Sequence, residues 1–159
     1  MKKSTLKLFK YSIIQANIFP LFFDYLTTKK EIIMNDTEIK YFTPQEAKLT
    51  LPLVKKIVKD ILDTGFVIKS IADALDGKIE NNEEIKSLLA KLNSYLMELE
   101  EIGCYYKDWN FTVGLVDFPA FINNEDVMLC WQSDEDDILY YHRGEEGYMD
   151  RRKIPQKYL

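Results

Sequence analysis

A change of hydrophobic period at Gly103 limits the fold more than any other feature of the chain. Before it, apolar or small residues recur in alternating steps of four and three. The first series is Ala47, Leu51, Val54, Val58, Ile61, Gly65, Ile68, Ala72 and Leu75, and the second is Ile85, Leu88, Leu92, Tyr95, Leu99 and Ile102. Such spacing places one apolar stripe on each of two helices. After Gly103 come short runs rich in β-branched and aromatic residues, at 113–118, 127–132 and 138–142, separated by polar turns at 123–126 and 133–137. These periods predict an α+β domain: a long antiparallel helical hairpin over 44–103, packed on a small three-stranded antiparallel meander within 104–145. A further short strand is expected near 104–106, and an irregular tail over 146–159, where Pro155 discourages regular structure. Alternation assigns Val127, Leu129 and Trp131 to one face of the middle strand, and Ile138, Tyr140 and His142 to one face of the next.

The helix boundaries are written locally. Thr43 can cap the first helix, Pro44 suits its first position because its missing N–H would be unbonded there, and Glu46 completes a capping box. Asp76-Gly77 should end that helix, Asn81 with Glu84 offers a second capping box, and Gly103 stops the second helix. Pro52 lies off the stripe and removes one backbone donor, so a kink or a lost hydrogen bond is expected. Gly65 lies on the stripe, either to let another backbone approach or as a weak spot costing about 1 kcal/mol relative to Ala.

With 159 residues, 47% apolar and 30% charged, one core is within reach, and 34–159 reads as a single domain behind an extension over 1–33. That extension carries a net charge of +4, which leaves −9 on the rest of a chain whose total is −5. An acidic body repels phosphate backbones, so nucleic acid is not an expected partner. The extension is basic and then apolar, like the first two regions of a signal peptide, but Gln15, Asn17 and Pro20 interrupt the apolar run. Two readings stay open: a signal-like or membrane-associating segment, or sequence upstream of a true start at Met34. Membrane association is expected only if residues 1–33 are retained.

The two cysteines, Cys104 and Cys130, make neither a disulfide framework nor a paired zinc motif, and a reducing cytoplasm is the expected location. His142 is the only histidine. No glycine-rich phosphate loop and no Gly-x-Ser-x-Gly turn is present, so no cofactor is expected and nucleophilic catalysis has little footing. The acidic turn 134–137 lacks the glycine and spaced oxygens of an EF-hand loop and reads as a solvated turn.

Asp117 is the sharpest oddity, a carboxylate inside an apolar strand-like run. Burying it without partners is costly, so Arg151, Lys107 or backbone N–H groups are expected to pair with it. The alternative is a pocket in which Asp117, Glu135, His142 and Arg151 converge, a carboxylate or imidazole acting as general base and Arg151 holding an anion. No metal motif is present; Asp117, His142 and Cys130 are the candidate ligands if there is a metal site at all.

Tyr41-Phe42-Thr43, Glu46-Ala47, Leu51-Pro52-Leu53, Gly114-Leu115-Val116-Asp117-Phe118-Pro119, Leu129-Cys130-Trp131, Glu135, Ile138, His142, Gly147 and Arg151, in that order, resemble the prokaryotic domain-of-unknown-function family 2203. The resemblance covers about 41–154, favours Met34 as the start, and implies no reaction. The chain departs from the family pattern in two places. Asp134 and Asp136 flank Glu135 where glycine and proline are usual, and Tyr141-His142-Arg143 stands where Trp-His-Glu is usual. The expected function is that of a cytoplasmic, non-catalytic interaction or regulatory module, self-associating or binding a protein partner through the helical hairpin. The rival is a small-molecule or metal-dependent site around Asp117, Glu135, His142 and Arg151.

Overall fold

Thr43 and Glu46 start the first helix as their spacing requires: Thr43 N–H donates to Glu46 Oε2 at 2.8 Å, and Glu46 N–H donates to Thr43 Oγ1 at 3.2 Å. In the computed structural model, which describes residues 39–79 and 81–159, helix α1 follows as Pro44–Ala74 and helix α2 as Glu83–Ile102. Residues 1–33 and Met34, with both readings of them, lie outside the described residues. The chain divides into two compact units, one comprising Glu38–Asp63 and Ser94–Leu159, the other containing Thr64–Asn93. No helix among the described residues is long and apolar enough to cross a membrane.

In the second of these units, α1 ends where Asp76 and Gly77 take positive φ (51° and 78°) and Gly77 N–H donates to Ala72 O at 2.9 Å. The cap of α2 is Asn82, not Asn81: Asn82 Oδ1 accepts from Ile85 N–H at 2.9 Å, while Asn81 sits at φ 64°. The α1 stripe is buried as spaced except at Leu75, which is 37% exposed. On α2 the buried line is Ile85, Leu89, Leu92, Leu96 and Leu99, with Leu88 and Tyr95 only half-buried. Steps of four and three fit that line as well as the steps of three and four in the expected one, and periodicity alone leaves a choice of neighbouring faces. Pro52 lies on an exposed side of α1, which continues through it.

The other unit carries the sheet. It has five strands, not three, all antiparallel and in sequence order: β1 (Tyr105–Tyr106), β2 (Leu115–Ile122), β3 (Glu125–Gln132), β4 (Tyr140–Arg143) and β5 (Arg152–Lys153). β1 follows Gly103, whose φ of 101° lets Cys104 N–H close the helix on Leu99 O. Two expectations are corrected. β2 runs on through Pro119, because the outer edge there asks for an acceptor: Pro119 O takes the Phe42 N–H at 2.7 Å. The tail is not irregular, since Ile154 is buried and its N–H donates to Leu139 O at 2.9 Å, which docks β5 on β4. Ile138 is buried just ahead of β4 and is not part of it.

One sheet face makes the core. Val116, Phe118 and Ala120 of β2 lie opposite Trp131, Leu129 and Val127 of β3, and all six are at most 3% exposed. The first half of α1 covers this face. Lys55 lies 5.8 Å from the Trp131 ring centre and donates to Asp136 O, and the Phe42 ring meets Phe118 edge-on at 5.4 Å. A fully buried Val, Leu or Phe side chain contributes roughly 1.5–3 kcal/mol, so the six together outweigh any single polar contact on the sheet.

The loop joining β1 to β2 is held by Asp108, whose role the sequence does not announce. Its Oδ2 accepts from the N–H groups of Thr112 (2.6 Å), Val113 (2.8 Å) and Gly114 (3.3 Å), and its Oδ1 from Asn110 N–H (3.1 Å). Burial opposes the charge, yet these four N–H groups win and hold the carboxyl below its ordinary value of 3.8. Asp108→Ala should cost about 2–3 kcal/mol in urea unfolding at neutral pH. Because the folded value is the lower one, this stability is present above 3.8 and is lost as pH falls through the depressed value. The difference between wild type and Asp108→Asn should therefore shrink in acid. At the end of the same loop Gly114 has φ 60°, and a methyl group there would sit 2.5 Å from Val58 Cγ1. Gly114→Ala should destabilise by about 2–4 kcal/mol, read as a lower urea midpoint with an unchanged slope.

Candidate functional site

The second face of the sheet carries the polar chemistry, and hairpin geometry puts it there. Asn123 and Asn124 both have positive φ (53° and 62°), as a two-residue hairpin turn of mirror-image type requires. Such a turn makes the pairing symmetric about its centre, so Ile122 meets Glu125, Phe118 meets Leu129 and Asp117 meets Cys130. β4 then sets Tyr140 against Cys130 and His142 against Met128. Paired residues share a face, so Asp117, Cys130 and His142 lie together on the side away from α1.

The three side chains are almost closed to solvent, with Asp117 2%, Cys130 0% and His142 5% exposed. One ligand-capable atom from each, a carboxylate oxygen, the sulfur and a ring nitrogen, lies within 4.8 Å of the other two. His142 Nδ1 is 2.7 Å from Arg143 O, and Nε2 is 3.3 Å from Asp117 Oδ1. A carbonyl oxygen only accepts, so Nδ1 carries a proton and orients the ring. Nε2 then has two states: it is protonated and ion-paired with Asp117, or it presents a lone pair. The hydrogen bond to Asp117 raises the His142 pKa against the opposing effect of burial, which favours the first. The Cys130 thiol is pushed up to about 12, first by burial and then by the Asp117 charge, with Arg151 pulling the other way.

Arg151 and Glu135 extend the cluster toward solvent. Arg151 Nη1 donates to both carboxylate oxygens of Glu135, at 3.0 and 3.2 Å. The guanidinium lies against two rings, 3.9 Å from the Tyr148 centre and 4.7 Å from that of Tyr140, the residue opposite Cys130. Glu135 is pinned by its own turn, where its Oε2 accepts from Gln132 N–H at 2.9 Å and its carbonyl accepts from Trp131 Nε1–H at 2.9 Å. The result is two ordered pairs, His142 with Asp117 and Arg151 with Glu135, with Cys130 beside the first.

The four sequence candidates fall into two pairs, His142 with Asp117 and Arg151 with Glu135. Asp117 pairs with His142, not with Arg151 or Lys107, because Arg151 is taken by Glu135. A cleft of about 310 Å³ bounded by Lys55, Asp63, Trp131 and Ser133 includes Glu135 but none of the other three. The acidic turn is not simply solvated, since Glu135 holds Arg151 and Asp137 pairs with Lys48 at 2.5 Å. Tyr140 covers a guanidinium. The carboxylate usual after the histidine in the resembled family is not missed by this cluster. Position 143 faces outward, and its Arg143 pairs with Glu125 at 2.9 Å.

Among curated proteins and among solved structures nothing matches this chain. A family model described as "Uncharacterized conserved protein (DUF2203)" matches residues 40–154, which takes in both helices, the sheet and every residue of the cluster. The chain belongs to that family, domain of unknown function 2203.

Proposed function

We propose that this domain binds a divalent transition-metal ion, with zinc the best match, through Asp117, Cys130 and His142. One observation carries the reading. His142 is clamped by Arg143 O so that Nε2 points at Asp117 Oδ1 from 3.3 Å, with the Cys130 sulfur within 4.8 Å of both. That separation is long for a hydrogen bond between charged partners, which runs to about 2.7–2.9 Å. It matches the edge of a tetrahedron, because bonds of about 2.0–2.1 Å from a zinc ion to nitrogen and oxygen would put those two atoms about 3.3–3.4 Å apart. A histidine whose second nitrogen is fixed by a backbone carbonyl is also the usual orientation of a metal ligand.

The donor set selects the ion. Thiolate and imidazole favour zinc and its neighbours over the hard ions magnesium and calcium. A bound ion takes the place of the Nε2 and Sγ protons, leaving Asp117 and the thiolate to balance its two charges. Three protein ligands leave a fourth position open, the arrangement that activates water or takes a small ligand.

Cobalt(II) or zinc titration of metal-free protein should show one site per chain, with the absorption of a cobalt–thiolate bond in the cobalt form. Asp117→Ala, His142→Ala and Cys130→Ser should each weaken binding on the order of a hundredfold or more while the far-UV dichroism stays that of a folded α+β chain. Wild-type protein that binds neither ion, or a Cys130→Ser variant that keeps the cobalt–thiolate band, would sink the reading.

The second reading, a non-catalytic interaction module that self-associates through its helices, draws support from Leu49 and Leu53. They lie one turn apart on α1, 82% and 47% exposed. If it holds, wild type sediments as a dimer at micromolar concentration and a Leu49→Asp, Leu53→Asp double variant as a monomer. A monomeric wild type removes this reading and leaves the metal site untouched.

A further inference from the structure

We infer that Glu146 is the residue that positions His142: it fixes the Arg143 carbonyl that holds the imidazole, and so sets how well Nε2 can meet a metal ion. The inference rests on the metal-site reading above and adds to it a determinant of affinity outside the ligand set.

The contacts run outward from the ring. His142 Nδ1 donates to Arg143 O at 2.7 Å, and the same oxygen accepts Glu146 N–H at 3.0 Å, which closes a turn over 143–146. A carbonyl oxygen has two lone pairs, so it can take both bonds at once. Glu146 returns to the same residue through its side chain, where Oε2 accepts Arg143 N–H at 3.0 Å. Its backbone and its carboxylate thus grip the C=O and the N–H on either side of the Arg143 Cα, which limits how far that carbonyl can swing. The other carboxylate oxygen, Oε1, accepts from Arg152 Nη2 at 2.5 Å, and Arg152 stands on β5 opposite Tyr141, the residue before His142. One carboxylate therefore ties the turn after the histidine to the edge strand beside it.

Arg152, and then the Arg143 N–H, hold the Glu146 carboxyl below its ordinary value of 4.5, so at neutral pH it is the charged acceptor these bonds require. The grip matters at the ring because the bond made by one imidazole nitrogen decides where the other points. A carbonyl that swings away releases Nδ1, and the ring then turns Nε2 off Asp117. Glu145, the preceding residue of the same turn, is exposed and carries the same charge. It separates the effect of a negative charge near the ion from the effect of the bonds.

His142 is the only histidine, so the imidazole signals of ¹⁵N-labelled full-length protein report it alone. Without metal, the Nδ1 proton should exchange with water about tenfold faster in Glu146→Ala than in wild type. In a cobalt(II) titration the same variant should bind about tenfold more weakly. Glu146→Gln, which keeps an oxygen for the Arg143 N–H, should stay within about threefold of wild type in both readouts, as should Glu145→Ala. A ring proton or a cobalt affinity that Glu146→Ala leaves unmoved overturns the inference while wild-type cobalt binding still stands. So does a Glu146→Gln or Glu145→Ala variant as weak as Glu146→Ala, since charge and not position would then be the cause. Wild-type protein that binds no cobalt removes the metal reading and this inference with it.

Discussion

The register of the β2–β3 hairpin is the constraint on which the rest depends. A shift of one residue would turn Val116, Phe118, Leu129 and Trp131 out of the core and bring Asp117 and Cys130 into it. Six large or small apolar side chains on one face therefore decide where the polar cluster lies, and the Asn123-Asn124 turn holds the same register from the other end. The core and the candidate site are the two faces of one choice. That choice is made by hydrophobic burial and turn geometry, not by any attraction among the polar groups.

Stability alone is a poor explanation for Asp117, Cys130 and His142. Taking a carboxylate and an imidazolium out of water costs several kcal/mol per ion, and replacing such a pair with apolar side chains of similar volume is often neutral or favourable. Here the buried carboxylate is compensated by His142, its ring held in turn by Arg143 O. The outer ion pair of Arg151 and Glu135 is likewise held, by Gln132 N–H and by two tyrosine rings. Both pairs are thus held by groups outside them, on the sheet face opposite Val116, Phe118 and Trp131. The departure from the family pattern at Arg143 fits this arrangement, since the backbone of that residue does the orienting and its side chain stays outside.

Much of the fold was legible in the chain. The Thr43-Glu46 capping box, the stop at Gly103 and the Val127, Leu129 and Trp131 face are local or periodic signals, and the structure realises each of them. The α2 stripe was misplaced by one position because Leu88 and Leu89, and Tyr95 and Leu96, are adjacent apolar choices that periodicity cannot rank. The cap at Asn82 was misplaced for the same reason, with two asparagines in a row. β5 was missed because a two-residue strand has no periodicity; it exists because β4 offers an edge and Ile154 a buried anchor. The site was half legible. Asp117 stood out as a charge in an apolar run, and counting outward from Asn123-Asn124 would have paired it with Cys130. Asp108 gave no such signal, since an aspartate in a polar loop looks the same whether or not four N–H groups converge on it.

By itself the sequence determined the α+β class, the limits of α1, the end of α2, the buried face of the sheet and the set of residues with chemistry to offer. Each of these follows from interactions a few residues long or from a repeating period, which a linear chain displays. Only the tertiary structure decided that His142 and Asp117 pair, that Glu135 and not Asp117 takes Arg151, and that Cys130 lies beside the first pair. Those partners come from β2, β3, β4, the 133–137 turn and the tail. Their distances depend on how strands stack sideways, and that information enters only when the core closes.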